Sequence, residues 1–163
     1  MDFYTKRDIQ SSFRRVEELL QSGIFEPQNC ASPLVMAALT ELLILVRDLM
    51  AKAEKFANPI TFTDDVNVTE KVTNVSQAIK FIRDAICHVD SENRNHDECY
   101  ARLSYNIAYG KRALAKIGQV EIRSDYEDDV CFFFGSQKLY LGRHIIRAYE
   151  EAKAELVPLM RKT

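Results

Sequence analysis

Three side chains that suit chemistry lie close together in the chain, at Arg83, Asp84 and His88. Histidine has the side chain whose unperturbed pKa is nearest neutrality, so His88 suits proton transfer. The guanidinium group of Arg83 presents its N–H donors in a planar fork, which suits an anion. These residue types can form a site only if one structural element holds them together.

A helix over about residues 74–90 is predicted to carry all three side chains. Its apolar positions recur every three or four residues, which indicates one buried face. They are Val75, Ala78, Ile79, Ile82, Ile86 and Val89. At about 100° per residue, Arg83 and His88 fall on the two flanks of the opposite face. The polar side chains are therefore either solvated or part of a site shared with another molecule.

Two helices are predicted before this one. Thr5 with Asp8 resembles a capping box, and an apolar stripe follows over about 5–22. A Ser-Pro pair starts a second helix over about 33–56, which is apolar nearly all round. Such a helix is either the central helix of a bundle or is covered on one side by a partner chain.

A last helix is predicted over about 138–157, with Pro158 as its end. Three of its polar residues face away from its apolar stripe: Arg143, His144 and Arg147. Before this helix, alternation over 103–109 predicts a strand, although a short helix also fits there, and 120–122 with 130–134 predict a hairpin.

Together these elements predict a mainly α fold. The expected architecture is a four-helix up-and-down bundle with a small β-hairpin inserted before the last helix. The chain is long enough for a single hydrophobic core, so we expect one domain over 1–163, with the β insertion at about 100–136.

Composition excludes several classes of protein. An apolar fraction of 47% and a charged fraction of 28% indicate a folded chain. A net charge of −2 argues against a general nucleic-acid-binding protein, although local contact with RNA remains compatible. The sequence shows neither a signal peptide nor a membrane span, so we expect a cytoplasmic protein without a membrane partner. It contains no phosphate-binding glycine loop or hydrolase motif, and no cofactor is expected.

The spacing of the potential ligands disfavours two metal sites. The acidic turn at 125–129 lacks the regular ligand spacing of a calcium loop. A zinc-like set consists of Cys87, His88, His96 and Cys99. Cys87 and His88 are adjacent on a helix and point about 100° apart, and no paired-cysteine half-site is present. We therefore expect no metal, and free thiols at all four cysteines.

The segment from Arg83 to His88 resembles the HEPN superfamily of small helical domains. That superfamily is marked by an arginine, four to six intervening residues and a histidine, often with a polar residue directly after the arginine. Here the spacing is Arg-x4-His, and Asp84 fills the polar position. The chain length, the helical composition and the position of the motif late in a helix are also similar.

The resemblance implies a metal-independent endoribonuclease of the toxin or phage-defence type, with two motifs facing each other across a homodimer. In that scheme His88 is the general base, Arg83 stabilises the scissile phosphate, and Asp84 orients the imidazole. Asn93 and Arg94, just past the helix, are candidate contacts to the RNA substrate. An antitoxin or another protein partner is also compatible with this reading.

One branch of the superfamily has a modified tyrosine two residues after the histidine. Asp90 occupies that position here, so this mode of silencing is not expected. Because many members are non-catalytic, the alternative function is a helical module that dimerises or binds a partner through the same polar face.

Overall fold

The computed structural model describes residues 1–99 and 101–161. Four α-helices are present in this part of the chain: α1 (Phe3–Gln21), α2 (Leu34–Phe56), α3 (Val75–Cys87) and α4 (Arg147–Arg161). Five strands lie between α3 and α4: β1 (Asn106–Tyr109), β2 (Arg112–Ile117), β3 (Val120–Ser124), β4 (Val130–Phe134) and β5 (Gln137–Tyr140). No helix among these residues combines the length and the apolar composition that a bilayer crossing requires.

The chain divides into two compact units. The helical unit consists of residues 1–62 and the segment from 146 onwards, and the mixed unit consists of residues 63–145. The expectation of one domain over 1–163 stays a prediction, because a division into compact units does not decide whether either unit folds alone.

The helical unit contains α1, α2 and α4, and α2 packs against both of the others. This explains why α2 is apolar nearly all round: nine of its side chains are buried, from Val35 to Ala53. The side chain of Glu17 joins α1 to α4, since it accepts hydrogen bonds from Tyr149 Oη at 2.9 Å and Lys153 Nζ at 2.6 Å. Intrachain packing therefore accounts for most of the apolar surface that suggested a partner chain on this helix.

The mixed unit contains α3 and all five strands. Strands β1, β4 and β5 form an antiparallel sheet in the order β1–β4–β5, and β2 pairs with β3 in a separate hairpin. α3 packs against β5. Four side chains of its predicted stripe are fully buried or nearly so: Val75, Ala78, Ile79 and Ile82.

The predicted four-helix bundle with one inserted hairpin is wrong. The fold is mixed, because five strands form two sheets and α3 belongs to the unit that contains them. The predicted pairing of 120–122 with 130–134 is also wrong, since β3 pairs with β2 and β4 pairs with β1 and β5. Two tight turns explain this difference: Gly118 has φ +61° between β2 and β3, and Gly135 has φ +54° between β4 and β5.

Several predicted helix ends also differ. Asp2 caps α1, where its carboxylate accepts a hydrogen bond from Thr5 N at 2.9 Å, so the capping box at Thr5 and Asp8 is not the start. The last helix continues through Pro158, and it is preceded by a π-helical turn over Leu141–Ile146. Within that turn His144 is fully buried rather than turned away from the core.

Candidate functional site

The C-terminal end of α3 carries the predicted motif. Asn74 caps the start of this helix by accepting a hydrogen bond from Gln77 N, and the helix ends at Cys87. Arg83 Nη1 lies 2.9 Å from Asp84 Oδ1, and both side chains are about one-third exposed, at 31% and 29%. The structure therefore brings Arg83 and Asp84 together on a solvent-accessible part of the helix.

His88 lies just beyond the helix rather than within it. Its backbone is extended, with φ −116° and ψ 107°, and its side chain is exposed. The backbone N–H of His88 donates to the carbonyl of Asp84 at 3.0 Å. Among the described contacts the carboxylate of Asp84 pairs with Arg83, and no hydrogen bond joins it to the imidazole. The predicted orientation of His88 by Asp84 is thus not seen in this arrangement.

The two predicted substrate contacts hold the end of α3 in place. Arg94 donates from Nε to the carbonyl of Ala85 at 2.7 Å and from Nη2 to that of Ile86 at 3.3 Å. Asn93 donates from Nδ2 to the carbonyl of Phe81 at 3.2 Å. These carbonyls belong to the last turns of the helix, where acceptors lack or share partners and a cation is favourable. In this arrangement the Arg94 guanidinium is a capping group of the helix.

A shallow depression of about 200 Å³ adjoins the motif. Asp84 and Asn93 line it together with two lysines, Lys71 and Lys80, both of which are exposed. Next to His88, the side chain of Val89 is 70% exposed. Asp84 of the motif thus shares a depression with two exposed lysines, and His88 is followed by an exposed apolar side chain.

A larger cavity, of about 440 Å³, lies in the mixed unit and is called the β cavity here. It is lined by Asp65, Val66, Asn67, His96, Leu103, Glu121, Ile122, Arg123, Asp125, Tyr126, Phe133, Gly135, Ser136, Gln137, Lys138 and Tyr140. Strand β3 and the residue after it contribute three charged side chains, Glu121, Arg123 and Asp125. Strand β5 contributes Lys138 and the buried amide of Gln137. The sequence predicts none of these residues as a site residue: His96 belongs to the disfavoured zinc-like set, and Asp125 and Tyr126 belong to the disfavoured acidic turn.

Asp125 organises the charges of the β cavity. Its carboxylate lies 2.6 Å from Lys138 Nζ and 3.1 Å from Arg123 Nε. The hydrogen bond from Lys138 is the main reason why the pKa of Asp125 is below its ordinary value. Burial is the largest single influence and would lower the pKa of Lys138, but the hydrogen bond to Asp125 and the further interactions with Asp125 and Tyr140 together raise it. Asp125 and Lys138 are therefore both charged at neutral pH.

The sequence does contain a signal for this cavity. Glu121, Arg123 and Asp125 alternate with Ile122 and Ser124, so the charged side chains share one face of an extended segment. The acidic residues at 125–129 mask this signal, because they also fit a turn. The contribution of Gln137 has no local signal, since burial of an amide depends on tertiary packing.

Behind the cavity, His144 is held as a neutral imidazole. Its Nδ1 accepts a hydrogen bond from Tyr140 N at 3.1 Å, so Nε2 carries the proton and donates to the carbonyl of Asp64 at 3.2 Å. Burial lowers the pKa of His144 below 6.5, against the opposing influence of the Asp64 carbonyl and the carboxylates of Asp65 and Asp129. Protonation would place a second donor opposite the Tyr140 N–H.

This arrangement predicts a loss of stability on mild acidification. The unfolded chain binds a proton at His144 at a higher pH than the folded chain, so the free energy of unfolding falls as the pH drops from about 6.5 to the lowered folded pKa. Urea unfolding at several pH values between about 5 and 7 measures the slope. The His144→Gln variant, which cannot titrate at this position, should have a shallower slope; equal slopes would contradict the assignment.

Neither a reactive thiol nor a metal-binding group is found among the described residues of these two sites. Burial raises the pKa of the Cys131 thiol to about 12, so it is not a thiolate at neutral pH. Among the residues that the structure describes, no three His, Cys, Asp or Glu side chains converge as a metal-binding group.

Comparison with known proteins adds no relative from which a function could be transferred to this chain. The chain matches no family model, no curated protein and no solved structure.

Proposed function

We propose that this protein is a metal-independent endoribonuclease that resembles the HEPN superfamily and acts in the cytoplasm as a toxin or in phage defence. The observation that carries the proposal is the accessibility of Arg83, Asp84 and His88 at one end of α3. A substrate can reach the Arg83–Asp84 ion pair on the helix surface and the exposed imidazole of His88 one turn later. Side chains in the core would not be accessible in this way. The proposal also draws on the Arg-x4-His spacing of the sequence.

The chemistry follows from the properties of the two side chains. Neutral His88 takes the proton from a ribose 2′-hydroxyl, and the 2′-oxygen then attacks the adjacent phosphorus. Arg83 donates to the phosphate oxygens, on which negative charge accumulates in the transition state. The bond from phosphorus to the 5′-oxygen breaks, and that oxygen leaves as a hydroxyl after taking a proton from solvent. The products are a 2′,3′-cyclic phosphate and a 5′-hydroxyl end.

The surroundings of the motif favour a polyanionic strand. Lys71 and Lys80 lie around the depression that Asp84 and Asn93 line, so neighbouring phosphates of a bound RNA can contact them. Arg83 must exchange its bond to Asp84 for one to phosphate. The exchange is inexpensive because the pair is partly exposed, and exposed ion pairs contribute about 0–1 kcal/mol.

We further propose that the active form is a homodimer in which the α3 ends face each other. The apolar surface of α2, which first suggested a dimer, is occupied by α1 and α4. The dimer therefore rests on the resemblance to the HEPN superfamily, in which two motifs face each other, and the exposed His88 and Val89 leave the end of α3 accessible to a second copy. Light scattering at micromolar concentration distinguishes the dimer from a monomer.

A second candidate is a non-catalytic module that binds an antitoxin or another protein partner through the same face. The specific observation in its favour is the 2.9 Å ion pair, which engages the Arg83 guanidinium with Asp84. In this case Asp84 neutralises the arginine and the face recognises a protein rather than a phosphate.

The experiment that separates the two functions is incubation of the purified protein with mixed RNA in EDTA. The nuclease should cut single-stranded or looped RNA, because an unpaired strand can place its 2′-hydroxyl in line with the phosphate. Mass spectrometry of the products should detect 2′,3′-cyclic phosphate ends. Intact RNA at all protein concentrations would reject catalysis and favour the binding module.

A further inference from the structure

The β2–β3 hairpin carries a local excess of positive charge. Residues 111–123 contain four basic side chains and one acidic side chain, a net charge of +3, whereas the whole chain has a net charge of −2. The basic residues are Lys111, Arg112, Lys116 and Arg123, and all four are exposed. A concentration of one sign of charge on one element attracts a partner of the opposite charge.

Three of these cations have no carboxylate partner among the described residues. Arg123 Nη1 lies 3.3 Å from Glu121 Oε2, so this arginine is already paired. Lys116 is opposite Glu121 in the register of the two strands, yet no ion pair joins the two side chains. Lys111 and Arg112 likewise form no ion pair within the part of the chain that the structure describes. The hairpin therefore presents three uncompensated charges to solvent.

Strand β2 spreads these charges along an open edge. It pairs with β3 alone, so the backbone groups of its other edge lie outside the two-stranded sheet. Arg112 and Lys116 are separated by at most about 13 Å along the extended strand. The side chains of Ala113 and Ala115 between them are small and exposed, which leaves the backbone accessible. Separate phosphates of one strand can therefore contact both cations and the backbone N–H groups of this edge.

The apolar side chains of the hairpin are directed to the core. Ile122 is 6% exposed, and Leu114 and Ile117 pack against the cluster to which it belongs. All of residues 111–124 are described, and none of their large apolar side chains is exposed. A lipid surface or an apolar protein partner would thus bury little here. A polyanion needs no apolar contact, because neutralisation of phosphates and release of counterions drive its binding.

We infer that the β2–β3 hairpin binds the RNA strand, through Lys111, Arg112 and Lys116. The inference rests on the proposed function, because that function makes RNA the strand. The motif at the end of α3 contacts the scissile phosphate, and the hairpin holds other phosphates of the same molecule. Since these contacts are with the RNA backbone, binding should depend little on the base sequence.

Fluorescence anisotropy with a labelled single-stranded 2′-O-methyl oligoribonucleotide tests the inference. This probe has no free 2′-hydroxyl, so the proposed nuclease cannot cleave it. The variant that combines Lys111→Gln, Arg112→Gln and Lys116→Gln should bind the probe about tenfold or more weakly than the wild type at low salt. The slope of log K against log salt should also become shallower by about 2, because each phosphate contact with a single strand contributes about 0.7.

The matched control combines Arg7→Gln, Arg14→Gln and Lys55→Gln. These residues are exposed on α1 and α2, and the control changes the net charge by the same amount as the hairpin variant. It should bind the probe like the wild type, with the same slope.

Three results would overturn the inference. The first is no binding of the probe by the wild type, and the second is an equal loss of affinity in the hairpin variant and the control. The third is unchanged affinity in the hairpin variant. If that variant also self-associates, the charges serve to protect the edge of β2 from pairing with another chain.

A measurement on the wild-type protein does not depend on how the variant folds. Brief acetylation followed by mass spectrometry reports the accessibility of each lysine. A saturating amount of the probe should protect Lys111 and Lys116 and leave Lys55 reactive, since Lys55 lies on α2. Equal acetylation of Lys111 and Lys116 with and without the probe would reject the contact.

Cleavable RNA separates a failure of this inference from a failure of the proposed function. The hairpin variant should need about tenfold more protein to reach the half-maximal single-turnover rate, with the wild-type rate at saturation. A hairpin variant that cleaves like the wild type at every concentration overturns the inference and leaves the nuclease in place. Intact RNA together with hairpin-dependent binding of the probe rejects the nuclease and supports the hairpin as a strand-binding surface.

Discussion

Replacing His88 by alanine is expected to lower the rate of RNA cleavage by a factor on the order of 100 or more. The variant lacks the base that takes the proton from the 2′-hydroxyl. Since His88 lies beyond the last residue of α3 and is exposed, its removal should leave the fold intact. Cleavage of a fluorescent single-stranded RNA in EDTA, followed under single-turnover conditions, measures the effect.

Arg83→Ala is expected to cause a loss of similar size, because it removes the donors that stabilise charge on the phosphate. Asp84→Ala should cost less, about tenfold, because the carboxylate holds the guanidinium and takes no part in proton transfer. This ranking separates catalysis from protein recognition, in which loss of either member of the ion pair should have a comparable effect.

Two control variants are used, one next to the motif and one far from it in the sequence. Cys87→Ser changes the exposed residue before His88 and should be nearly silent. Arg14→Ala removes an arginine of equal charge from an exposed pair with Glu18 on α1. If His88→Ala and Arg83→Ala both cleave like these controls, the activity does not come from the motif and the non-catalytic module is the better explanation.

The sequence predicted the helix that carries the motif but not where it ends. The apolar period identified the buried side chains of α3 as far as Ile82, because these positions depend only on helical geometry. The end at Cys87 depends on Arg94, which returns to donate to the carbonyls of Ala85 and Ile86. Hydrogen bonds of this kind join residues eight or nine apart through a turn, and no hydrophobic period reports them. Through these bonds Arg94 stabilises the end of α3, whereas its position just past the helix predicted a contact with the RNA substrate.

The strands have a weaker sequence pattern than the helices, for a related reason. β2 is exposed at most positions and shows no regular alternation, so it gave no signal as a strand. Without β2, the alternating segment β3 has only β4 as a pairing partner in the sequence pattern. The turn at Gly118 instead joins β2 to β3, and the turn at Gly135 joins β4 to β5. For this reason the sequence pattern predicts a helical bundle with a small insertion, whereas the fold is mixed.

Substituting Gly135 by alanine is expected to destabilise the protein by about 3–5 kcal/mol. Gly135 has φ +54°, which alanine adopts only at a cost of about 1 kcal/mol. In addition, an alanine Cβ would lie 2.2 Å from the carbonyl oxygen of Asn93 and 2.7 Å from that of Asn95. Because both contacts are with backbone, relief requires the whole segment after α3 to move away from the turn.

Gly118→Ala is the matched control for the Gly135 substitution. Gly118 has φ +61°, and a Cβ there meets nothing within 4 Å, so only the backbone strain of about 1 kcal/mol applies. Thermal unfolding by circular dichroism should lower the midpoint by about 10 °C or more for Gly135→Ala and by only a few degrees for Gly118→Ala. Equal shifts would mean that the segment holding Asn93 and Asn95 does not pack against the β4–β5 turn. The result also bears on function, since this segment connects the motif at the end of α3 with His96 in the lining of the β cavity.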